Sequence, residues 1–242
     1  MLTTTATVTA KDYWDAFDRE VMVEYPVIDA FVESCGYRVD LMGRLEPAAR
    51  VLACPVKKNP PNWQHGRVLY AAARQYFATS ENLVTVLDVG TAKGFSALCL
   101  QWALNDSGKF GQVVSLDVID PNGTERRNTV AELDGPVTLA QILAPWPEAK
   151  AIAFMKSTGI DWLRRGSSRV HVAFVDGKHT GAVVAEETKL LASRQSAGDL
   201  VIFDDAQIPG VALAIEQASK HLYDLQHLQA KPERAYVIAR RK

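Results

Sequence analysis

Beyond residue 83 the chain alternates short apolar runs with amphipathic segments of helical length. Runs such as Val-Ala-Phe-Val and Leu-Val-Ile-Phe contain no polar position, which is typical of strands that are buried on both faces of a sheet. Such strands, alternating with helices, predict an α/β fold with a doubly wound, mostly parallel sheet. We predict strands over 84–89, 113–118, 151–155, 170–176 and 200–204, and helices over 94–105, 159–165, 180–194 and 210–222.

The end of the chain breaks this alternation. Residues 225–228 and 235–240 both have strand character, and the turn Lys-Pro-Glu between them leaves no room for a helix. Two strands joined so tightly must pair antiparallel. We therefore predict a seven-stranded, Rossmann-like sheet that ends in an antiparallel hairpin.

The first third of the chain has a different pattern. Residues 11–35 and 66–78 have helical periodicity, and a loop with prolines at 55, 60 and 61 separates them. We predict a helical N-terminal cap over 1–65 and a cofactor-binding sheet domain over 66–242. The cap is expected to be packed by aromatic residues at helical spacing, namely Trp14, Phe17, Tyr25 and Phe31.

Composition narrows the class of partner. Lys plus Arg is 27 and Asp plus Glu is 28, so the net charge is −1. This argues against a nucleic-acid partner, because phosphate affinity requires clustered basic charge. Three scattered cysteines form no disulfide framework, and no segment has the ~18 apolar residues of a membrane span. We expect a cytoplasmic protein without a membrane partner, and a homodimer through the N-terminal helices.

A glycine-containing loop follows the first predicted strand. Ligands bind outside the carboxyl ends of parallel strands, so the segment Asp88-Val-Gly90-Thr91-Ala-Lys-Gly94-Phe-Ser96 is the first candidate site. Glycine at 90 allows a sharp turn, and glycine at 94 lets the next helix begin close to a ligand. The G-x-x-x-G spacing differs from the G-x-G-x-x-G of dinucleotide-binding loops, which disfavours an NAD-dependent oxidoreductase.

Asp117 ends the second predicted strand. It could accept hydrogen bonds from both hydroxyls of a ribose, or it could cap the following turn. An acidic-x-Gly-x-x-x-Gly loop followed by this carboxylate resembles the class I S-adenosylmethionine-dependent methyltransferases. The resemblance implies S-adenosylmethionine as cofactor, with methionine at the glycine loop, ribose at Asp117 and adenine near Ser157 and Thr158. The implied cofactor-binding residues are Asp88, Gly90, Thr91, Gly94, Ser96, Asp117, Ser157, Thr158 and Asp176.

Three carboxylates end the fourth and fifth predicted strands, and they are Asp176, Asp204 and Asp205. Adjacent strands bring them to one sheet edge, where like charges require a cation or a proton. Hard oxygen ligands suit Mg²⁺, so all three residues are candidate metal ligands. Alternatively, Asp204 and Asp205 cap the next helix.

The segment Asp204-Asp205-Ala-Gln-Ile-Pro-Gly resembles the cation-dependent O-methyltransferases of the catechol and caffeoyl-coenzyme A type. Those enzymes have a catalytic Lys three residues after the fourth-strand Asp, where this chain has His179, with Lys178 one residue earlier. The pattern Asp-Gly-x-His is instead similar to a bacterial group of cephalosporin-hydroxylase-like proteins and sugar O-methyltransferases, in which the His is a candidate base. That group commonly has a Tyr two residues further on, where this chain has Gly181.

These resemblances imply an S-adenosylmethionine-dependent O-methyltransferase, assisted by Mg²⁺, that methylates a hydroxyl of a small-molecule acceptor. His179 is the first candidate base and Lys178 the second. A metal-independent methyltransferase, an inactive cofactor-binding protein, a hydroxylase-like enzyme and an NAD-dependent oxidoreductase remain alternatives. The other histidines, at 65, 171, 221 and 227, are expected to be structural or exposed.

Overall fold

The computed structural model describes residues 8–56 and 60–242. Within them seven strands form one sheet: β1 (Leu83–Val89), β2 (Phe110–Asp117), β3 (Ala153–Lys156), β4 (Val172–Val175), β5 (Leu200–Phe203), β6 (Tyr223–Lys231) and β7 (Arg234–Arg241). Their spatial order is β3-β2-β1-β4-β5-β7-β6. The first five strands are parallel, and β7 pairs antiparallel with both β5 and β6. This confirms the predicted doubly wound sheet with a terminal hairpin.

The helices of the described ranges lie before the sheet and between its strands. They are α1 (Ala10–Val21), α2 (Pro26–Cys35), α3 (Glu46–Leu52), α4 (Gln64–Thr79), α5 (Phe95–Asp106), α6 (Leu139–Ile142), α7 (Gly159–Arg165), α8 (Gly181–Ser193) and α9 (Pro209–Ser219). A π-helical turn over Leu41–Leu45 leads into α3. Within the described ranges, no helix combines the length and apolar character that crossing a membrane requires.

Several predicted boundaries were wrong for local reasons. The predicted helical stretch 11–35 is two helices, because Pro26 has no amide hydrogen and begins α2 at its first turn. The third strand begins at Ala153 instead of 151, because Pro147–Ala151 forms a 3-10 turn. The predicted strand 170–176 is shortened to 172–175, and the amide of Val170 donates to the carbonyl of Arg194 outside the sheet.

The sheet has an apolar helical layer on each face. On one face, Val86 and Phe174 share a cluster with Leu69 of α4 and Leu98 of α5. The same cluster contains residues of the N-terminal segment, in which α2 packs against α4, and these include Phe17, Tyr25, Ile28, Phe31 and Leu52. Trp14 is 38% exposed and lies at the surface. On the other face, Leu87 and Val201 pack with Leu191 of α8 and Ile215 of α9.

A buried carboxylate fixes the amino end of β5. Asp199 is fully buried and accepts hydrogen bonds from Nε and Nη2 of Arg169 at 2.9 and 2.8 Å. It also accepts from the Tyr76 hydroxyl at 2.7 Å and the Ser196 amide at 2.7 Å. These bonds join α4, the segment before β4 and the start of β5. They lie at the opposite end of the sheet from the carboxyl ends of the parallel strands.

We expect Asp199→Ala to lower the free energy of unfolding by about 3 kcal/mol, because it leaves Arg169 and the buried Tyr76 hydroxyl without their shared partner. Urea denaturation measures the change. Asp224→Ala is the matched control, since Asp224 is 79% exposed and pairs with Lys242 at 3.4 Å. Its expected cost is below about 0.5 kcal/mol. Equal costs for the two variants would contradict a stabilising role for this network.

Candidate active site

The carboxyl ends of the parallel strands open into a cavity of about 980 Å³. Residues after each of β1 to β5 contribute to its wall, together with the β6–β7 turn and the segment before α4. The structure brings most of the predicted site residues to this cavity, and they are Gly90, Thr91, Ser96, Asp117, Ser157, Thr158, Asp176, Lys178, His179, Asp204 and Asp205.

Asp88 and Gly94, which the resemblance implied to be cofactor-binding residues, lie behind the cavity wall. Asp88 is fully buried beneath the loop, and burial raises its pKa to about 7. Its carboxylate accepts a 2.5 Å hydrogen bond from Ser115, whose hydroxyl oxygen lies 2.6 Å from that of Thr91. Asp88 therefore supports the loop through Ser115. Gly94, at φ +85°, packs so close to Leu143 that a Cβ would lie 2.8 Å from its Cδ1.

Residues 90–94, which we call the cofactor loop, cross closely over the end of β4. Gly90 has φ +104°, and a Cβ there would lie 2.3 Å from the backbone oxygen of Asp176. The amides of Gly90 and Thr91 both donate to the carbonyl of Leu116, at 2.8 and 3.0 Å. Only glycine fits at this crossing, because any side chain would collide with the β4 backbone.

Asp117 organises the loops on either side of it. Its Oδ2 accepts from the amide of Ala92 at 2.7 Å, and its Oδ1 accepts from the amide of Ile119 at 3.0 Å. Asp117 therefore does cap the following turn, which was the alternative to a role in ribose binding. A carboxylate has about four lone-pair sites, so two remain for further donors. The amide of Ser157 donates to the Asp117 carbonyl at 2.8 Å, which brings the end of β3 alongside.

Asp176, His179 and Asp205 form the tightest group of candidate metal ligands within the described residues, with one ligand atom from each within 4.8 Å of the others. Nδ1 of His179 lies 2.7 Å from Oδ2 of Asp205 and 3.9 Å from Oδ1 of Asp176. Burial, followed by the charges of Asp204 and Asp205, raises the pKa of Asp176 well above its usual range. The hydrogen bond from His179 lowers the pKa of Asp205.

Asp204 belongs to the same acidic cluster (Asp176, Asp204 and Asp205) but has protein partners. Its Oδ2 accepts from the side-chain amide of Asn62 at 2.9 Å and lies 3.8 Å from Nη1 of Arg234. Its Oδ1 accepts from the amide of Asp205 at 2.8 Å. The Tyr236 hydroxyl donates to Oδ1 of Asn62 at 2.9 Å. Sequence reasoning missed Asn62 and Arg234, because neither lies in a local motif and only the folded chain brings them to β5.

His65, which was expected to be structural or exposed, packs against aromatic rings and also lines the cavity at the first turn of α4. Its ring lies between those of Phe95 and Phe174, with centroids 5.1 and 5.7 Å away. Both ring nitrogens are buried and have no hydrogen-bond partner among the described residues. Burial lowers the pKa of His65 to about 3, so the imidazole is neutral at physiological pH. It can offer one donor and one acceptor to a bound molecule.

Glu187 is a further missed residue of the cavity wall. It is 2% exposed and lies on α8 between Val184 and Leu191, which are both buried in the apolar layer. Burial raises the pKa of Glu187 to about 7. A carboxylate within the apolar stripe of a helix is a detectable signal, because charged residues are rarely buried without a reason. That signal could have identified Glu187 from the sequence.

Comparison with known proteins identifies the domain. Residues 87–206 match a family model described as a methyltransferase domain. The chain contains a class I methyltransferase domain. This family supports S-adenosylmethionine as the cofactor, which the resemblance of the glycine loop and Asp117 had implied. Among proteins with curated annotation, none is significantly similar to this methyltransferase in sequence.

Solved structures share the fold at low identity. The O-methyltransferase from Bacillus cereus in complex with S-adenosylhomocysteine is 14% identical, with a TM-score of 0.54 over 97% of this chain and 98% of that chain. The methyltransferase PaMTH1 of Podospora anserina, bound to S-adenosylhomocysteine, is 13% identical, with a TM-score of 0.52 over 89% and 88%. An rRNA methylase from Streptococcus thermophilus is 11% identical, with a TM-score of 0.50 over 70% and 93%. At these identities the likeness establishes the fold alone.

The cavity fits S-adenosylmethionine on its own features. The cofactor loop and Asp117 border one end of the cavity, and Asp117 retains acceptor capacity there. Val118, the next residue, lines the cavity with 65% of its surface exposed and offers an apolar face for a purine ring. The acidic cluster at the other end can hold a divalent cation, because the charges of Asp204 and Asp205 disfavour an ionised Asp176 even with Arg234 and His179 nearby.

We expect Glu187→Gln to reduce the pH dependence of stability. Since burial raises the pKa of Glu187 from 4.5 to about 7, the folded protein holds this proton more tightly than the unfolded chain does. The stability of the wild type therefore falls as pH rises from 4.5 to about 7, by about 3 kcal/mol from this group. The variant should match the wild type near pH 4.5 and exceed it near pH 8.

Urea denaturation across this pH range measures the difference between the two proteins. Glu186→Gln is the control, because Glu186 is on the same helix but only half-buried, and it pairs with Arg164 at 3.0 Å. A constant difference between Glu187→Gln and the wild type at all pH values would contradict the assigned pKa.

Proposed function

We propose that this methyltransferase transfers the methyl group of S-adenosylmethionine to a hydroxyl of a small-molecule acceptor, with assistance from a divalent cation. The observation that carries the proposal is the position of Asp176, His179 and Asp205, which face the same cavity as the cofactor loop and Asp117. One end of the cavity has the features of a cofactor site. The other end has carboxylates and an imidazole that can bind and deprotonate a hydroxyl.

The proposed reaction is a single displacement at the methyl carbon of the cofactor. The acceptor oxygen forms a bond to the methyl carbon while the bond between that carbon and sulfur breaks, which leaves S-adenosylhomocysteine and a methyl ether. The hydroxyl proton passes to a base of the protein. Holding the oxygen and the methyl carbon in line can account for several kcal/mol of the barrier, so the walls of the cavity contribute mainly by orientation.

His179 is the proposed base. Its Nδ1 lies 2.7 Å from Asp205, an arrangement that fixes the ring and stabilises the imidazolium formed when Nε2 takes a proton. Lys178 is exposed where it lines the cavity and is the weaker candidate, because a lysine needs burial to act as a general base.

The residues proposed to hold the cation are Asp176, Asp205 and Asp204. A bound divalent cation would lower the pKa of an acceptor hydroxyl. Mg²⁺ prefers oxygen ligands, which suits the carboxylates and assigns the role of base to His179. Asp204 contributes through its charge and its bonds to Asn62 and the Asp205 amide, which shape the end of β5.

A metal-independent methyltransferase is the second candidate. The contact between His179 and Asp205 favours it, because a hydrogen-bonded carboxylate–histidine pair can remove a proton without a cation. Chelation separates the two candidates. A small-molecule acceptor is favoured over nucleic acid in both, since the net charge is −1 and the acceptor end of the cavity is acidic.

We expect S-adenosylhomocysteine to bind the wild type, with Asp117→Asn weakening it by about tenfold or more, because the carboxylate gives charge-assisted bonds to the ribose. Isothermal titration calorimetry measures both affinities. Asp134→Asn is the control, because Asp134 is exposed and lies outside the cavity wall. Absence of binding to the wild type would contradict the proposed cofactor site.

We expect His179→Ala to lower kcat by about 100-fold or more while leaving the affinity for S-adenosylhomocysteine unchanged, which is the usual effect of removing a general base. Formation of S-adenosylhomocysteine in a panel of small catechols, phenols and sugars reports turnover. His227→Ala is the control, because His227 is exposed and pairs with Glu216 at 2.9 Å.

In the same assay, excess EDTA should abolish turnover, and added Mg²⁺ should restore it. Asp205→Asn should weaken this restoration by removing a charged ligand. Full activity after exhaustive chelation would exclude the cation-assisted proposal and favour the metal-independent one.

A further inference from the structure

Glu187 has an unusual environment for a carboxylate. Its side chain leaves the apolar face of α8 and reaches the cavity, yet its Oε2 is buried without a hydrogen-bond partner among the described residues. Leaving a buried polar atom unpaired typically costs about 1–3 kcal/mol. Glu187 takes no part in the acidic cluster and does not contact the proposed base. The roles of those groups therefore do not explain why an unpaired oxygen is buried here.

The surroundings of Glu187 point to the cofactor end of the cavity. Its Oε1 approaches Gly159, where a Cβ would lie only 2.3 Å from that oxygen. Gly159 begins α7 directly after Ser157 and Thr158, and the amide of Ser157 is bonded to the carbonyl of Asp117. Because residue 159 has no side chain, the Glu187 carboxyl group can lie beside the end of β3. This end is bonded to Asp117, the residue proposed to hold the ribose.

Apolar side chains also line this end of the cavity. Val118, Ile160 and Val183 contribute to the wall beside Ser157 and Thr158, and Val118 is 65% exposed. Such a slot suits a flat aromatic ring whose faces need apolar contact and whose edge needs a polar partner. A carboxyl oxygen supplies an acceptor, and the adenine edge that carries an amino group supplies a donor.

We propose that Glu187 accepts a hydrogen bond from the 6-amino group of the cofactor adenine and thereby selects adenine over other purines. This assignment rests on the proposed cofactor site. It gives the buried oxygen a partner when the cofactor is bound and accounts for the glycine at 159. Because burial raises the pKa of Glu187, the group is uncharged in part of the molecules at neutral pH, which lowers the cost of keeping it in the apolar layer.

Two ligands and two variants test the assignment. The ligands are S-adenosylhomocysteine and its purine analogue, in which hydrogen replaces the 6-amino group. The wild type is expected to bind S-adenosylhomocysteine about tenfold more tightly than the analogue, as one buried hydrogen bond allows. In Glu187→Leu the two ligands should bind within about twofold of each other, because the acceptor is gone. Glu187→Gln keeps an acceptor oxygen and should keep a preference for the amino group.

The controls separate binding from folding. Glu186→Gln should retain the wild-type preference, and thermal unfolding without ligand should show no loss of stability in Glu187→Leu, since the carboxylate has no partner there. A preference for the amino group that is equal in the wild type and both Glu187 variants would overturn this assignment alone. Failure of the wild type to bind either ligand would overturn the proposed cofactor site and the assignment with it.

Discussion

Burial of β4 and β5 on both faces is the constraint on which the rest of the structure depends. Every residue of these strands is buried, so their polar groups can lie only where the strands end. Parallel pairing then brings those ends to one edge. The acidic cluster results directly, since Asp176 follows β4 and Asp204 follows β5. The cofactor loop reaches the same edge from β1, within contact distance of the Asp176 backbone.

The charge of this edge is controlled from distant parts of the chain. Arg234 comes from the β6–β7 turn and Asn62 from the segment before α4, and both act on Asp204. His179 acts on Asp205 from the loop after β4. Each carboxylate of the cluster therefore has a different environment, with Asp176 the least compensated by the protein. A net charge of −1 for the whole chain conceals this local accumulation.

What could be predicted from the sequence depended on how local the determining interactions are. Apolar runs and glycine spacing are local. They predicted the sheet and the hairpin, and most of the site residues chosen from the strand ends line the cavity. The sequence does not distinguish the two possible roles of Asp88, because a strand residue near the cofactor loop has the same appearance in sequence whether it faces the ligand or supports the loop from below. Asn62, Arg234 and His65 depend on long-range packing, which has no periodic signature. Glu187 is an intermediate case. Its burial depends on the fold, but a charged residue within the apolar face of α8 can be recognised in the sequence.

The bonds of Asn62 also bear on how the protein folds. Asn62 contacts residues 142 and 174 positions later in the chain, namely Asp204 and Tyr236. Contacts of such sequence separation require large loops to close before they return any stabilisation, and they slow folding. The strands that carry the carboxylates can therefore pair before the Asn62 segment and the β6–β7 hairpin pack against Asp204. An intermediate with paired β1, β4 and β5 but no docked hairpin would have native secondary structure. Its carboxylates at the strand ends would lack the compensating charge of Arg234. Acidic pH should favour its accumulation, because protonation removes their repulsion.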